Sequence, residues 1–459
     1  MLFCTYQYFI FFLAVAALFY PCPQRWRRGI LLAASYFFYA SWNWRFIPLL
    51  AGLTVVDYAA AIWIERTTGS RRRKFALLVS LAANLGFLGF FKYYNFATST
   101  LAAVLDLPDD RWRLALILPL GISFHTFQSI SYVVDVYRGE QRAVPRFLDY
   151  ALFISFFPQL VAGPIVRARQ FFADLENWRP PKRDEVHHGA LLVVLGVTKK
   201  LAFADNFAAI SDRYFGGGGE VDAWAGVLAF SMQIYFDFSG YTDIAIGSAL
   251  LLGFHFPVNF RRPYLAVSIT DFWRRWHISL STWLRDYVYI PLGGNRHGRL
   301  RTYRNLILTM LLGGLWHGAN WTFVVWGGYH GALLAIERAL GISGVRNDAW
   351  SLRNLPRCVL TFALVTAGWV FFRAANLREA FRILGDLFHP SASGIQVEPA
   401  LAVLLAAALV LAIWEEKKQA LDRRRYAPLW AVGATLGLLL FVAEIFTTGE
   451  TIPFVYFQF

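Results

Sequence analysis

Residues 313–331 read GGLWHGANWTFVVWGGYHG, the middle of an apolar stretch that runs from Leu306 to Ile336. A helix needs about 20 apolar residues to cross a hydrocarbon core of roughly 30 Å, so this stretch is too long for one ordinary crossing and short for two. Gly313-Gly314 and Gly327-Gly328 interrupt it. The pattern predicts a hairpin dipping to mid-depth, with His317 near its tip. An ionisable side chain there costs roughly 2.5 kcal/mol or more, which makes His317 a candidate site residue. A neutral imidazole can take a proton from a hydroxyl near pH 7, and the competing reading is a hydrogen-bonded core histidine.

The rest of the chain extends this membrane reading. Of its 459 residues 57% are hydrophobic, with 17 Trp, 21 Tyr and 42 Phe, too little polar surface to cover a water-soluble globule. Further spans are expected near 28–44, 46–64, 75–91, 113–134, 189–210, 224–252, 357–373, 400–414 and 428–446. No cleavable signal peptide is expected: Met1 to Gln7 lacks a positive region, and the first apolar segment ends in Pro21-Cys22-Pro23. The clusters Arg25/Arg27/Arg28, Arg71 to Lys74 and Arg138 to Arg146 fall on one side, the cytoplasmic one, if the N-terminus is outside. FFPQLVAGPIV (156–166) would break that rule as a full span, and Pro158 and Gly163-Pro164 make it a re-entrant segment instead. A last basic loop, Lys417 to Arg425, leaves the C-terminus outside. The expectation is an all-α polytopic transmembrane bundle with re-entrant segments, one domain over 1–459 with its core motifs in 113–336.

Composition also excludes. The net charge of +14 sits in short clusters between apolar segments and reports topology; aromatics inside those segments argue against nucleic-acid binding. Cys4, Cys22 and Cys358 are far apart, without a CxxC or Cys/His spacing, so no metal site or disulfide framework is expected.

Polar groups among aromatics also occur in GISFHTFQSISYVVD (121–135), QIYFDFSGYTDIAIG (233–247) and DFWRRWHISLSTWLRDY (271–287). Read as a continuous helix, the last puts Trp273, Trp276, Leu280 and Leu284 on the face of His277, with Arg274 and Arg285 pointing away. His277 could then orient a substrate or hold a carbonyl, or simply pack. His125 and His330 are weaker candidates, since on a continuous helix 13 residues turn His330 about 220° away from His317. Asp237 and Asp243 read as hydrogen-bond acceptors for neighbouring spans. The arginines of 253–304 determine topology and meet lipid headgroups; alternatively, they hold the phosphates of an acyl donor such as a coenzyme A thioester.

Together these stretches, with TKKLAFADN (198–206), NFRRPYLAVSITDFWRRWHISLSTWLRDYVYIPLGGNR (259–296) and the ending FVYFQF, resemble the membrane-bound O-acyltransferase family, specifically its alginate O-acetyltransferase branch. The resemblance covers essentially the whole chain. It implies that His317, in LWHGA, is the catalytic histidine and that His277, in RRWHIS, is the second polar active-site residue. It also implies a central tunnel, with acyl donor, acetyl coenzyme A, entering from the cytoplasm and acceptor from outside. The implied setting is a bacterial inner membrane, where the chain binds no resident cofactor and works with a periplasmic SGNH-type acetyltransferase on an exported polysaccharide.

Three rivals stay open at this stage. Related membrane enzymes transfer D-alanine to teichoic acid; broken helices with intramembrane Asp and His suit transporters; and the chain could passively anchor a secreted acetyltransferase. No cysteine lies in a motif stretch, which argues against a thioester intermediate on the enzyme, while Ser279 and Ser281 leave a serine acyl-enzyme possible.

Overall fold

The computed structural model describes residues 3–108, 112–160, 163–216, 222–342, 344, 352–388, 399–421 and 429–447, and among them there are helices and connections but no strand. The chain divides into two compact units, Met1–Gly189 with Ala245–Pro257 and Ala190–Ile244 with Val258–Phe459.

The first unit is built on α1 (Tyr6–Phe19), α2 (Gln24–Asn43), α3 (Ile47–Arg66), α4 (Ser70–Leu88), α5 (Tyr94–Val104), α6 (Ile122–Arg138), α7 (Phe147–Ser155), α8 (Phe157–Leu160) and α9 (Ala168–Glu176). On α1, Tyr8, Val15 and Phe19 are buried, yet Tyr6, Ile10, Leu13 and Leu18 on the other face are 64–84% exposed. A helix apolar on both faces has protein on one side and lipid on the other. Three helical stretches among the described residues are long and apolar enough to cross a membrane: Gln24–Arg66, Ser70–Val104 and Leu355–Arg373.

The span expected at 113–134 is corrected: residues 113–119 are non-helical and α6 starts at Ile122. Pro119 disfavours helix just before it, and Gly121 turns the chain at φ +68°, where a β-carbon would lie 2.3 Å from the Leu160 carbonyl oxygen. The expected break in 156–166 is present: α7 stops at Ser155, and a single turn carrying Pro158 follows. Val161 and Ala162 of that segment, like 422–428 of the last basic loop and the C-terminal FVYFQF, lie outside the described residues.

Near the end of this unit Arg179 donates two hydrogen bonds to Glu185, at 2.7 and 2.6 Å, and the Lys182 amide adds a third at 2.6 Å. Hydrogen bonding from Arg179 holds the Glu185 carboxyl down at about 2, against burial, which opposes it. A depressed carboxylate stabilises the fold above its unfolded value of about 4.5 and loses that contribution as pH falls through about 2. Thermal unfolding of wild type and Glu185→Gln should therefore show a wild-type advantage at pH 5 that shrinks steadily towards pH 2.

The second unit takes over within α10 (Arg183–Thr198) and continues through a π-helical segment, Lys199–Ala204, into α11 (Asp205–Phe215) and α12 (Ala223–Leu251). After a connection that holds a short 3-10 turn, Pro263–Leu265, come two short helices, α13 (Ile269–Arg275) and α14 (Ile278–Leu284). Then follow α15 (Arg299–His317), α16 (Trp321–Ala339), α17 (Leu355–Arg373), α18 (Leu377–Asp386), α19 (Pro399–Leu421) and α20 (Leu429–Ile445). Its core gathers Phe230 and Ile234 of α12, Phe272, Trp276, Phe323 and Trp326 with Val365, Trp369 and Phe372 of α17. Asp237 and Asp243 take the structural role expected of them, but through lysines. Lys200 lies 2.8 Å from both Asp205 and Asp237, and Lys199 lies 2.8 Å from Asp243.

The stretch 306–336 is a helical hairpin, as expected, but the role of its glycines is corrected. Gly313, Gly314, Gly327 and Gly328 lie inside continuous helices, each of 19 residues and so about 28 Å long. The break falls at Gly318-Ala319-Asn320, where the Asn320 side chain caps α16 by accepting from the Thr322 amide at 3.1 Å. The glycines form a seam. A β-carbon on Gly314 would lie 2.2 Å from the Phe323 carbonyl oxygen, and one on Gly327 2.4 Å from that of Met310. Small residues at such crossings let two helices of a membrane protein pack backbone to backbone. Gly314→Ala should destabilise by about 1–3 kcal/mol through overpacking. Gly328→Ala, whose methyl would meet only the Leu311 side chain at 3.6 Å, is the matched control in a thermal-unfolding comparison.

Candidate active site

His317 is the last residue of α15, and Gly318 leaves the helix in an extended conformation. This position sets the ring at the C-terminal end of the helix, at the turn of the hairpin. His317 is buried, with Trp316 at 4.9 Å, Trp326 at 5.1 Å and Phe372 at 5.3 Å between ring centroids.

The structure brings His277 beside it. The two imidazole centroids are 6.4 Å apart, and His277 rests edge-on against Phe238 of α12 at 4.6 Å. The continuous helix expected over 271–287 is corrected. Trp276 is extended and His277 sits at φ +42°, ψ +56°, so α13 ends before it and α14 begins after it. The cause lies in the preceding connection. The Ile278 amide donates to the Asn259 carbonyl at 3.0 Å, not to a residue one turn back, and the Arg261 amide donates to the Arg275 carbonyl at 2.9 Å. The facial grouping of Trp273, Trp276, Leu280 and Leu284 with His277 therefore does not hold. Trp276 instead packs into the core against Phe272 and Trp369.

Helical rotation along a continuous helix sets His330 on the face opposite His317, and that expectation is corrected too. The hairpin folds α16 back, so Trp326 has His317 at 5.1 Å and His330 at 4.9 Å. Neither ring nitrogen of His330 has a hydrogen-bond partner among the described residues, and Gly368 of α17 makes room for it, since a β-carbon there would lie 2.9 Å from Nε2. His125 is buried on α6 and belongs to the first unit, whereas His277, His317 and His330 belong to the second. No cluster among the described residues could hold a metal ion.

Two residues that hold the site in place escaped the sequence reading. Glu337, near the end of α16, accepts from the Thr270 amide and hydroxyl, each at 2.8 Å, and from the Ile269 amide, so one carboxylate binds the orphan donors at the start of α13. Its only signal in the sequence is an acid at the end of an apolar run. Asn259 is fully buried, and its Oδ1 accepts from the Ser279 amide at 3.1 Å and hydroxyl at 2.7 Å. It appears in sequence merely as the first residue of NFRRPY.

Residues 138–342, the span that holds all these groups except His125, Gly368, Trp369 and Phe372, match the membrane-bound O-acyltransferase family. The chain is 43% identical to a probable alginate O-acetylase of Pseudomonas putida over 98% of both chains. It is 41% identical to a peptidoglycan O-acetyltransferase of Helicobacter pylori over 79% of this chain and 73% of that one. With a teichoic acid D-alanyltransferase of Bacillus subtilis it shares 31% identity over 56% of this chain and 69% of the other. The chain belongs to the membrane-bound O-acyltransferase family and is an O-acetyltransferase.

Proposed function

We propose that this O-acetyltransferase takes an acetyl group from a thioester donor, acetyl coenzyme A, on the cytoplasmic side of a bacterial inner membrane, for O-acetylation of an exported alginate-like polysaccharide. The observation that carries the reading is the pair of buried imidazoles, 6.4 Å apart in an aromatic enclosure, in a chain alike over 98% of its length to a probable alginate O-acetylase. His317 acts as general base on the acceptor hydroxyl. The oxygen bonds to the acyl carbon, the carbon–sulfur bond breaks, and the proton passes from His317 to the departing thiolate. His277 orients the acyl carbonyl. General-base catalysis supplies about 10² to 10⁴-fold.

The arginines of 253–304 supply charge for the donor's phosphates. A periplasmic SGNH-type acetyltransferase finishes the modification. The higher identity to O-acetylases than to the D-alanyltransferase favours acetyl over D-alanyl as the cargo. The test is transfer of label from radiolabelled acetyl coenzyme A by the purified chain in detergent. Turnover supports the donor assignment; no turnover, with turnover on an acetylated carrier protein, overturns it.

A further inference from the structure

The mechanism needs more than a base, because negative charge builds on the acyl carbonyl oxygen as the acceptor attacks, and one histidine has been given to that oxygen. Asn259 meets the requirement for a second donor. The hydrogen-bond partners fix its amide orientation. A backbone N–H can only donate, so the atom facing the Ser279 amide is Oδ1, and the Ser279 hydroxyl donates to the same oxygen. Nδ2 therefore points elsewhere. It has no hydrogen-bond partner among the described residues, in a side chain of 0% exposure. A buried amide with two unused N–H groups carries a penalty that an incoming acceptor oxygen relieves.

Its place in the chain ties it to the reacting groups. The Asn259 carbonyl accepts from the Ile278 amide, and its side chain grips Ser279, so both residues after His277 are fastened to it. The next residue, Phe260, packs on Trp276 at 5.1 Å and on Phe238 at 5.0 Å, and Phe238 in turn rests against the His277 ring. An amide locked in orientation on the turn that presents His277 costs no reorganisation when charge develops, which is the condition for electrostatic stabilisation of a transition state.

We infer that the Asn259 Nδ2 amide is a catalytic hydrogen-bond donor to the acyl carbonyl oxygen, acting with His277 while His317 handles the proton. The inference rests on the assignment of the histidine pair to the reaction centre, but not on the identity of the acyl donor.

The discriminating substitution is Asn259→Asp, which keeps an oxygen for both Ser279 contacts and replaces the N–H donors with a second acceptor. It is compared with Ser279→Ala, which removes one hydrogen bond to Oδ1 and leaves the donors intact. The readout is alkali-releasable acetate on the exported polysaccharide of cells carrying each variant, scaled to folded chain measured by gel filtration, so it does not depend on the donor. Expected is a fall of about 10²-fold for Asn259→Asp, the usual cost of one such donor, and of only a few-fold for Ser279→Ala. Equal effects of the two would reduce Asn259 to a brace and overturn the inference, as would wild-type acetylation by Asn259→Asp. If the added carboxyl prevents folding, Asn259→Ala replaces it, and activity no lower than that of Ser279→Ala overturns the inference. Normal acetylation by His317→Ala in the same cells would mark failure of the histidine assignment instead.

Discussion

His317→Ala is expected to abolish measurable acetyl transfer, a loss of 10² to 10⁴-fold, while the purified protein keeps its elution position and thermal transition. The fold should survive because the pocket around the ring is built by others: Phe372 packs on both Phe323 and Trp326, and Trp326 and Phe372 also line His317. The glycine seam of the α15–α16 hairpin does not involve the imidazole at all. An unchanged acetylation level in folded His317→Ala would leave the family membership intact and remove this residue from the chemistry. His277→Ala should also lose activity, and its loss carries a second cause, since it takes a side chain out of contact with both Phe238 and Trp316.

Lys200→Met is expected to be the most destabilising single change outside the active site, by about 3–5 kcal/mol. The ammonium faces two carboxylates at 2.8 Å, and the side chains of Lys200, Asp205 and Asp237 are only 2–4% exposed. Removing it leaves two like charges in a medium that solvates neither. Met fills much the same volume, so the defect is electrostatic. The check is thermal unfolding of Lys200→Met against the triple change Lys200→Met, Asp205→Asn, Asp237→Asn. Recovery of most of the loss in the triple variant is the expected result, and a triple variant as unstable as the single one would locate the defect in packing.

Much of this architecture is legible in the residues because lipid punishes polar backbone and rewards apolar runs of a fixed length. The hairpin at 306–336 and the break around Pro158 both follow from that rule. Errors arose where a local device overrides periodicity. A tripeptide, Gly318-Ala319-Asn320, reverses the chain and brings Trp326, with His330 one turn further along the same helix, against His317, whereas a rotation of 100° per residue assumes no reversal. At 271–287 the helical pattern is sound on each side of His277 and wrong across it, because the competing partner, Asn259, lies 18 residues upstream. The glycine pairs misled for a related reason. Glycine marks a turn when the backbone bends and a crossing when another backbone comes close, and sequence spacing alone does not separate the two.

The conformation of His277 also limits what can stand at that position. At φ +42° the left-handed region admits glycine readily and, among residues with side chains, mainly Asn, Asp and His; a β-branched residue there is a genuine outlier. Those three side chains are also ones able to hydrogen-bond a substrate. Backbone geometry has thus narrowed the alphabet at 277 before chemistry makes any choice. In a saturation library at this codon, valine, isoleucine and threonine would be disfavoured by the backbone, while glycine, asparagine, aspartate and histidine would be tolerated, and the polar ones among them differ in proton affinity and reach, a palette from which altered acyl specificity could be selected.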